Sequence, residues 1–489
     1  MKIVKAINTE DWWAVWLGAI IITVAITGFA GRLPKTGTWI VNPLSAFQKY
    51  VRSVPLETKP ADLYLQGEAA GDLEYDAGRK LLIYQGLMTA GRCNELQQLS
   101  ADPRYKAAID GLYSSKPLSQ GNNLLGLLVL MLILGILISI GGRAMGVEVL
   151  TYLNGYAVVF VLAIVSHLFA EQYLIDACGL GYAFWALALG LLISSTIGTP
   201  DWLLAGARTG LYFKIGLVLL GAEILLNEIP ALGLRGLPAC WPTAIVVIML
   251  MYVFGTKYLK MAGKRLVLII GATTALCGVP AAIAAAATCR AKKEELAVAV
   301  GIVLIGTVPL FILIPLGIKF AGLDAVIGGA WLGAAIGAPA AFLGPQAGQT
   351  STAVIMIKNV LIGMTALFLA VYSTVKVNRD LAPARPGAME VWHQFPKYML
   401  GLIGASLLFS FVLIPAMGPH VVQNKIIAAA TRTMREWLFC LGFVSVGLQA
   451  NLRDLKGQIS GGKSIWLYIV GQSFNLALTF LAAWVAFGG

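Results

Sequence analysis

Long apolar stretches recur along almost the whole chain, and they limit its fold more than any other feature of the sequence. A helix needs about 20 apolar residues to cross the hydrocarbon core of a bilayer. We therefore predict an all-α polytopic membrane protein with about 11–13 transmembrane segments. Thirteen hydrophobic segments are the candidates: residues 12–30, 124–140, 152–170, 182–197, 211–226, 240–255, 266–288, 296–318, 326–343, 351–374, 398–414, 437–448 and 464–487.

The composition agrees with a membrane protein. Hydrophobic residues make up 58% of the 489 residues and charged residues only 12%, about half the charged share of soluble proteins. The net charge of +12 follows from basic cytoplasmic loops, so nucleic-acid binding is not predicted. The six cysteines have no paired spacing and there are only three histidines, so the sequence predicts no disulfide framework, metal site or cofactor.

The apolar pattern divides the chain into four parts. Residues 1–30 form an N-terminal membrane anchor helix, and residues 31–121 form a polar insert, in which we predict helices over 72–92 and 103–112. Residues 122–150 add a further transmembrane helix and a loop. Residues 151–489 form the membrane core.

Basic residues predict the orientation, because lysine and arginine collect in cytoplasmic loops. The lysines before the first span place the N-terminus in the cytoplasm and the insert, residues 31–121, outside. Membrane crossings can be counted from either end of the chain, with the basic loops placed in the cytoplasm. The two counts agree only if segments 266–288 and 326–343 both cross the membrane or both re-enter. Re-entry also keeps Lys292 and Lys293 inside, so the charge pattern favours it.

Those two segments are interrupted by residues that break helices. Gly278 and Pro280 interrupt the first, and a run from Gly337 to Pro345 interrupts the second. Non-helical backbone at membrane depth persists only where it is buried in protein or lines a wet cavity, and paired broken segments mark transport sites. The ends of half-helices with free N–H groups favour anions.

Glycine and proline also occur in membrane helices where they only permit close packing or kinks. The hydroxyl and amide groups beside both breaks favour a binding site over packing alone. The candidate substrate-binding residues are Thr273, Thr274, Cys277, Gly278, Pro280, Gln346, Gln349, Thr350, Ser351, Lys358 and Asn359.

Ionisable residues inside apolar segments are candidates for function. Lys358 lies about two turns after Thr350 and is either a counter-charge for an anion or the structural partner of Glu223. Glu223 is the candidate for coupling to H⁺ or Na⁺. Thr350 and Ser351 also fit the N-cap of the following helix.

Other polar residues favour structural roles. His167 precedes Glu171 by four residues, which favours a local pair over a proton relay. Arg432 and Arg435 lie at a predicted helix end, so we expect them at the membrane interface. Asn475, like its neighbour Gln472, can hydrogen-bond across helices.

Several motifs carry a family resemblance. One is Leu276-Cys277-Gly278, which is followed by a basic and then acidic run at residues 290–295. Four further segments carry the same resemblance, at residues 214–222, 392–397, 443–448 and 471–478. Over about residues 151–489 the chain resembles the YeiH-like bacterial membrane proteins, described as sulfate exporters. The resemblance implies sulfite or sulfate as substrate. It also implies inverted repeats with two crossed discontinuous helices, as in the sodium/proton antiporter and bile-acid transporter folds.

The leading hypothesis is a secondary transporter for a small inorganic or organic anion in the bacterial inner membrane, with H⁺ or Na⁺ coupling and a homodimer both left open. The alternatives are a monovalent cation/proton antiporter and a membrane subunit that recruits partners through residues 31–121. The sequence contains no Walker loop and no hydrolase motif, so we predict that the protein is not an enzyme.

Overall fold

The structure of the chain is a computed structural model. It describes residues 9–27, 33–34, 36–37, 39, 43–55, 73–76, 80–85, 93, 96–97, 103–115, 118–172, 175, 181–225, 236–261, 263–276, 278–289, 291–338, 340, 343, 346–348, 350–351, 353–355, 357–358, 361–362, 365, 396–450 and 462–487.

Helices dominate the described residues, as the apolar pattern predicts. We number them in chain order: α1 Glu10–Ile26, α2 Pro103–Ser114, α3 Asn123–Ala144, α4 Val149–Ala170, α5 Tyr182–Thr196, α6 Asp201–Gly206, α7 Thr209–Gly221, α8 Gly236–Val253, α9 Lys264–Ala275, α10 Val279–Thr288, α11 Lys293–Phe320, α12 Ala325–Ile336, α13 Tyr398–Leu408, α14 Arg432–Gln449 and α15 Lys463–Phe487. Seven helical stretches of the described part are long and apolar enough to cross a membrane, and α5, α10 and α12 are shorter apolar helices. The all-α polytopic fold is thus confirmed.

The polar insert contains a small antiparallel sheet. Its strands are β1 Gln48–Pro55, β2 Leu73–Asp76, β3 Leu81–Gln85 and β4 Leu118–Asn122, in the spatial order β2-β3-β1-β4. The predicted helix over 103–112 is confirmed by α2. The predicted helix over 72–92 is wrong, because β2 and β3 lie there. In β3, Leu82 and Tyr84 are buried while their neighbours are less so, which is the two-residue period of a strand.

The N-terminal helix is packed into the bundle. A Cβ added at Gly18 of α1 would lie 2.6 Å from the Val218 side chain of α7, so the two helices approach closely at this glycine. Lys214 Nζ of α7 lies 2.7 Å from Asp11 Oδ1, and the backbone N–H of Lys397, just before α13, donates to Asp11 Oδ2 over 3.1 Å. Helix α1 is therefore held by both α7 and α13.

These contacts define one end of the bundle, which we call the basic end. The first turn of α1 and the second turn of α7 meet there through Glu10 and Lys214. Lys293, the first residue of α11, interacts electrostatically with Glu10 and Arg208. Helix α14 ends here too, since Gln449 Nε2 donates to Ala207 O over 2.6 Å.

The opposite end carries the segment that leads into the insert, and we call it the insert end. Trp39 Nε1 donates to Leu168 O in the last turn of α4 over 2.7 Å. Trp437 Nε1, near the start of α14, donates to Pro34 O over 3.2 Å. Because α14 runs from here to the basic end, the two ends lie on opposite sides of the bundle.

The first broken segment, α9 and α10, is a hairpin that begins and finishes at the basic end. A Cβ added at Gly263, just before α9, would lie 3.9 Å from Glu295 Oε1 in the first turn of α11. Cys289, which follows α10, lies close enough to both Arg265 of α9 and Glu295 for their charges to act on its thiol group. The start of α9 and the end of α10 are therefore neighbours, as the re-entrant alternative requires.

The second broken segment enters from the insert end. Helix α11 has 28 residues and extends about 42 Å from the basic end, so α12 starts at the other side. In α12, Gly329 approaches Ala347, and a Cβ added at Gly333 would lie 2.8 Å from Ser351 O. The second pair lies four residues after the first in both segments. Helix α12 is therefore parallel to the helical residues around 346–358. Ala340 hydrogen-bonds to Ser351, which lies beside Gly333, so at Ala340 the chain has turned back towards the insert end.

We expect cysteine labelling from each side of the membrane to reveal the first hairpin. Lys292, Lys257 and Lys80 are exposed positions before α11, after α8 and in the insert. Maleimide should label cysteines placed at Lys292 and Lys257 from one side, and a cysteine at Lys80 from the other, because 264–288 does not cross. Labelling of Lys292→Cys from the same side as Lys80→Cys would contradict the first hairpin.

Candidate functional site

The first hairpin turns at a glycine followed closely by a proline. Gly278 has φ +63° and is the N-cap of α10, a backbone conformation that L side chains rarely adopt. Pro280 lies in the first turn of α10, where its fixed φ suits a helix start and its missing N–H costs nothing. The predicted break therefore consists of one residue that turns the chain and one that restarts the helix.

The second hairpin turns at Gly337. This residue closes α12 in the left-handed conformation, with φ +68°, and its N–H donates to Gly333 O over 3.1 Å, the usual glycine end of a helix. Further on, Ser351 Oγ accepts a hydrogen bond from the Ala340 N–H over 2.9 Å and donates to Gly348 O over 2.9 Å. Ser351 thus holds the returning chain against the helix that follows.

The N-cap predicted at Thr350 and Ser351 is wrong. Residues 346–348 are already helical, so both residues lie inside the helix. The Thr350 hydroxyl donates to Gln346 O over 2.8 Å, a bond to the preceding turn of the same helix. The sequence suggested a start here because a glycine and two hydroxyl residues follow the Gly344-Pro345 break.

One asparagine of α15 connects the two hairpin tips. Asn475 Nδ2 donates to Thr274 O at the end of α9 over 3.2 Å and to Ala335 O at the end of α12 over 2.8 Å. The residue is completely buried. The predicted hydrogen bonding of Asn475 across helices is thus present in the structure, and it places the tips of two hairpins from opposite ends of the bundle side by side.

Lys358 lies beside the same tip. Its side chain is buried, and its ammonium donates to Ala334 O in the last turn of α12. The last carbonyls of a helix lack partners within the helix and carry partial negative charge. Lys358 and Asn475 therefore supply donors to the carbonyl end of α12.

The charge balance at the tips is positive. The last carbonyls of α9 and α12 accept hydrogen bonds from Asn475 and Lys358. These donors offset the partial negative charge at the C-terminal ends of the two helices. The opposite kind of end, the N-terminus of α10, presents the N–H groups of Val279 and Ala281, which have no acceptor within their helix. One ammonium and one helix N-terminus thus belong to the two joined tips. No carboxylate of the described residues hydrogen-bonds to Lys358 or Asn475 there.

The other predicted site residues, apart from Gly278, Pro280, Thr350, Ser351 and Lys358, divide into three groups by position. Thr273 and Thr274 lie at the first tip and are buried, and their hydroxyls donate to Ile269 O and Ile270 O one turn back. Gln346 is exposed, away from the buried tips. Three further candidates lie outside the described residues: Cys277, Gln349 and Asn359.

Glu223 is not the partner of Lys358. It lies just after α7, where its Oε1 is 2.7 Å from Arg435 Nε and its Oε2 is 3.3 Å from Arg432 Nε. The Arg435 side chain is only 11% exposed, and its guanidinium lies 5.5 Å from the centre of the Phe439 ring. The Glu223 carboxylate and an aromatic face thus stabilise the charge of the buried Arg435, and the interfacial depth of Arg432 and Arg435 stays a prediction.

We expect Glu223→Gln to reduce stability strongly, because among the described residues it leaves the buried Arg435 only the more distant Glu436 as an ion-pair partner, 3.7 Å away. Loss of one partner of a buried ion pair costs about 3–5 kcal/mol. Arg432→Gln is the matched control: that side chain is 42% exposed, so its loss should cost about 0–1 kcal/mol. Thermal unfolding in detergent measures both, and equal shifts would contradict this difference.

His167 is also part of a packed cluster. Its ring lies 4.8 Å from the Tyr182 ring and 4.5 Å from the Trp437 ring, measured between centres. It is buried in the last turn of α4. The aromatic stacking supports a packing role.

Comparisons with known proteins agree with the membrane fold. Residues 154–467 match the profile of a family described as "Conserved hypothetical protein 698". The chain is 37% identical to a UPF0324 membrane protein of Rhodopirellula baltica, over 98% of this chain and 90% of the relative. It is also 37% identical to a UPF0324 membrane protein of Nitratidesulfovibrio vulgaris, over 82% and 69% of the two chains.

A more distant relative is the UPF0324 membrane protein TauZ of Paracoccus denitrificans, at 26% identity over 62% of this chain and 86% of the relative. No solved structure matches the chain. The match of the family profile and the length and identity of the alignments lead to one conclusion. The chain belongs to the UPF0324 family of membrane proteins.

Proposed function

We propose that this protein is a secondary transporter that moves a small anion across the bacterial inner membrane. The observation that carries the proposal is the meeting of two hairpins from opposite ends of the bundle at Asn475, beside the buried ammonium of Lys358. Broken helices near the middle of a bilayer form the binding sites of many transporters. Sulfite and sulfate are the substrates that the family resemblance suggests.

The charges at the tips favour an anion over a monovalent cation. Lys358 supplies a full positive charge, and the N-terminus of α10 adds the positive end of a helix dipole. A cation antiporter would need an available carboxylate. Glu223, the coupling candidate, is already paired with two arginines.

The proposed orientation follows from the charges at the two ends. The basic end contains Lys214, Lys293 and Lys397, and basic residues are retained on the cytoplasmic side of bacterial membranes. The N-terminus is then cytoplasmic and residues 31–121 are extracytoplasmic.

Transport by the purified full-length protein in liposomes tests this function. Liposomes loaded with sulfite, sulfate, nitrate or a small carboxylate are diluted into labelled anion, with and without Na⁺ and a pH gradient. We expect protein-dependent exchange of at least one anion. Exchange of Na⁺ or K⁺ for H⁺ with no anion exchange would favour the antiporter instead.

A further inference from the structure

We propose that the anion bound at the hairpin tips carries a hydrogen-bond donor of its own, which Asn475 Oδ1 accepts. The inference rests on the proposed function, because it describes the substrate of the same site. The substrate class is a small anion with an O–H or N–H group, such as a hydrogen-bearing oxyanion or an amino-substituted acid anion.

The orientation of the Asn475 amide is fixed by its neighbours. An asparagine amide has two donors on nitrogen and an acceptor oxygen. Both acceptors near Asn475, Thr274 O and Ala335 O, are backbone carbonyls, so the nitrogen must face them. The oxygen then faces the other way, and no described residue donates to it.

An amide oxygen without a donor is unusual at this depth. Asn475 is 0% exposed, and buried polar atoms nearly always have a hydrogen-bond partner. A binding site that leaves an acceptor for its ligand selects ligands that carry the matching donor and rejects analogues that lack it. The unpartnered oxygen therefore indicates which part of the substrate lies next to Asn475.

A cation would fit this oxygen less well than a donor. The two carbonyls beside Asn475 already accept its N–H groups, so they offer a metal ion less electron density. The Lys358 ammonium is bound to Ala334 O, the carbonyl next to Ala335 O in the chain. A second cation there would be repelled at low dielectric, whereas a neutral O–H or N–H group would not.

The same site also requires negative charge on the ligand. The Lys358 ammonium and the N-terminal N–H groups of α10 are donors, which suit the oxygens of an anion. The substrate that satisfies both parts has anionic oxygens on one side and one donor on another. A fully deprotonated oxyanion such as sulfate satisfies only the first part.

Sulfamate and methanesulfonate provide a matched pair of probes. Both are singly charged tetrahedral anions of similar size, and they differ by an NH₂ group in place of CH₃. Each is tested as a competitor of anion exchange by the full-length protein in liposomes. We expect sulfamate to compete at a concentration at least about tenfold lower than that of methanesulfonate, because only sulfamate can donate to Asn475 Oδ1.

The variant Asn475→Leu should remove this preference, since leucine has similar size and no acceptor. If this variant fails to fold because the hairpin carbonyls lose their donor, the two probes on the native protein still decide. Equal competition by both anions, or stronger competition by methanesulfonate, overturns the inference and leaves the anion transporter in place. Anion exchange inhibited by neither probe also overturns it, whereas absence of any anion exchange overturns the proposed function itself.

Discussion

Replacing Lys358 with glutamine should weaken anion binding ten- to a hundredfold. The change removes the buried positive charge but keeps a donor for Ala334 O, so the end of α12 remains partnered. A hydrogen bond to a charged group contributes about 1.5–3 kcal/mol, which corresponds to that range of affinity. Lys358→Glu should be worse, because it places a carboxylate beside the anion. Anion competition in liposomes gives the affinities.

Lys319→Gln is the control for this experiment. Lys319 is an exposed lysine in the last turn of α11, far from the hairpin tips, so its loss should leave the affinity unchanged. If Lys358 only supports α12, Lys358→Gln should lower the thermal unfolding temperature and leave anion affinity as it was. That result would exclude Lys358 from the site.

Gly329→Val should prevent the second hairpin from closing. A Cβ at Gly329 would already overlap the backbone of Ala347, and a backbone neighbour cannot move aside as a side chain can. Overpacking typically costs about 1–3 kcal/mol and sometimes more, and the branched valine should reach the upper part of that range. We expect a large fall in unfolding temperature and the loss of anion exchange, since Lys358 can no longer reach Ala334.

Gly301→Val is the matched control, because Gly301 lies in helix α11 with open space around the position of its Cβ. A valine there should change stability by less than about 1 kcal/mol, since helix propensity alone is altered. Unfolding temperatures of the two variants in the same detergent make the comparison. Similar temperatures would show that α12 does not pack as tightly as its glycines indicate.

The apolar segments were predictable from the sequence, because length and hydrophobicity decide which helices can cross a bilayer. The breaks at Gly278 and Gly337 were also predictable, because glycine readily adopts the positive φ that both residues have in the structure. Whether the broken segments cross or re-enter was left open. The decision depends on contacts such as Gly263 with Glu295, which no local pattern contains.

The candidate site was only partly predictable. Lys358 was a candidate because a lysine inside an apolar segment is rare, but its partner could not be assigned. Glu223 was available as a partner in the sequence, whereas in the structure it binds Arg432 and Arg435 from a distant helix. The importance of Asn475 was underestimated, because its value lies in joining two tips whose proximity is a tertiary property.

The order in which the contacts of α1 become available has a consequence for biogenesis. Helix α1 is synthesised before both partners of its acidic first turn, which are Lys214 of α7 and, 386 residues after Asp11, the backbone of Lys397. Since chains emerge from the ribosome in sequence order, α1 can pack against α7 long before the residues at the start of α13 exist. A nascent chain stalled before α7 would therefore leave α1 without either partner, whereas one stalled between α7 and α13 would already hold it through Lys214 and Val218.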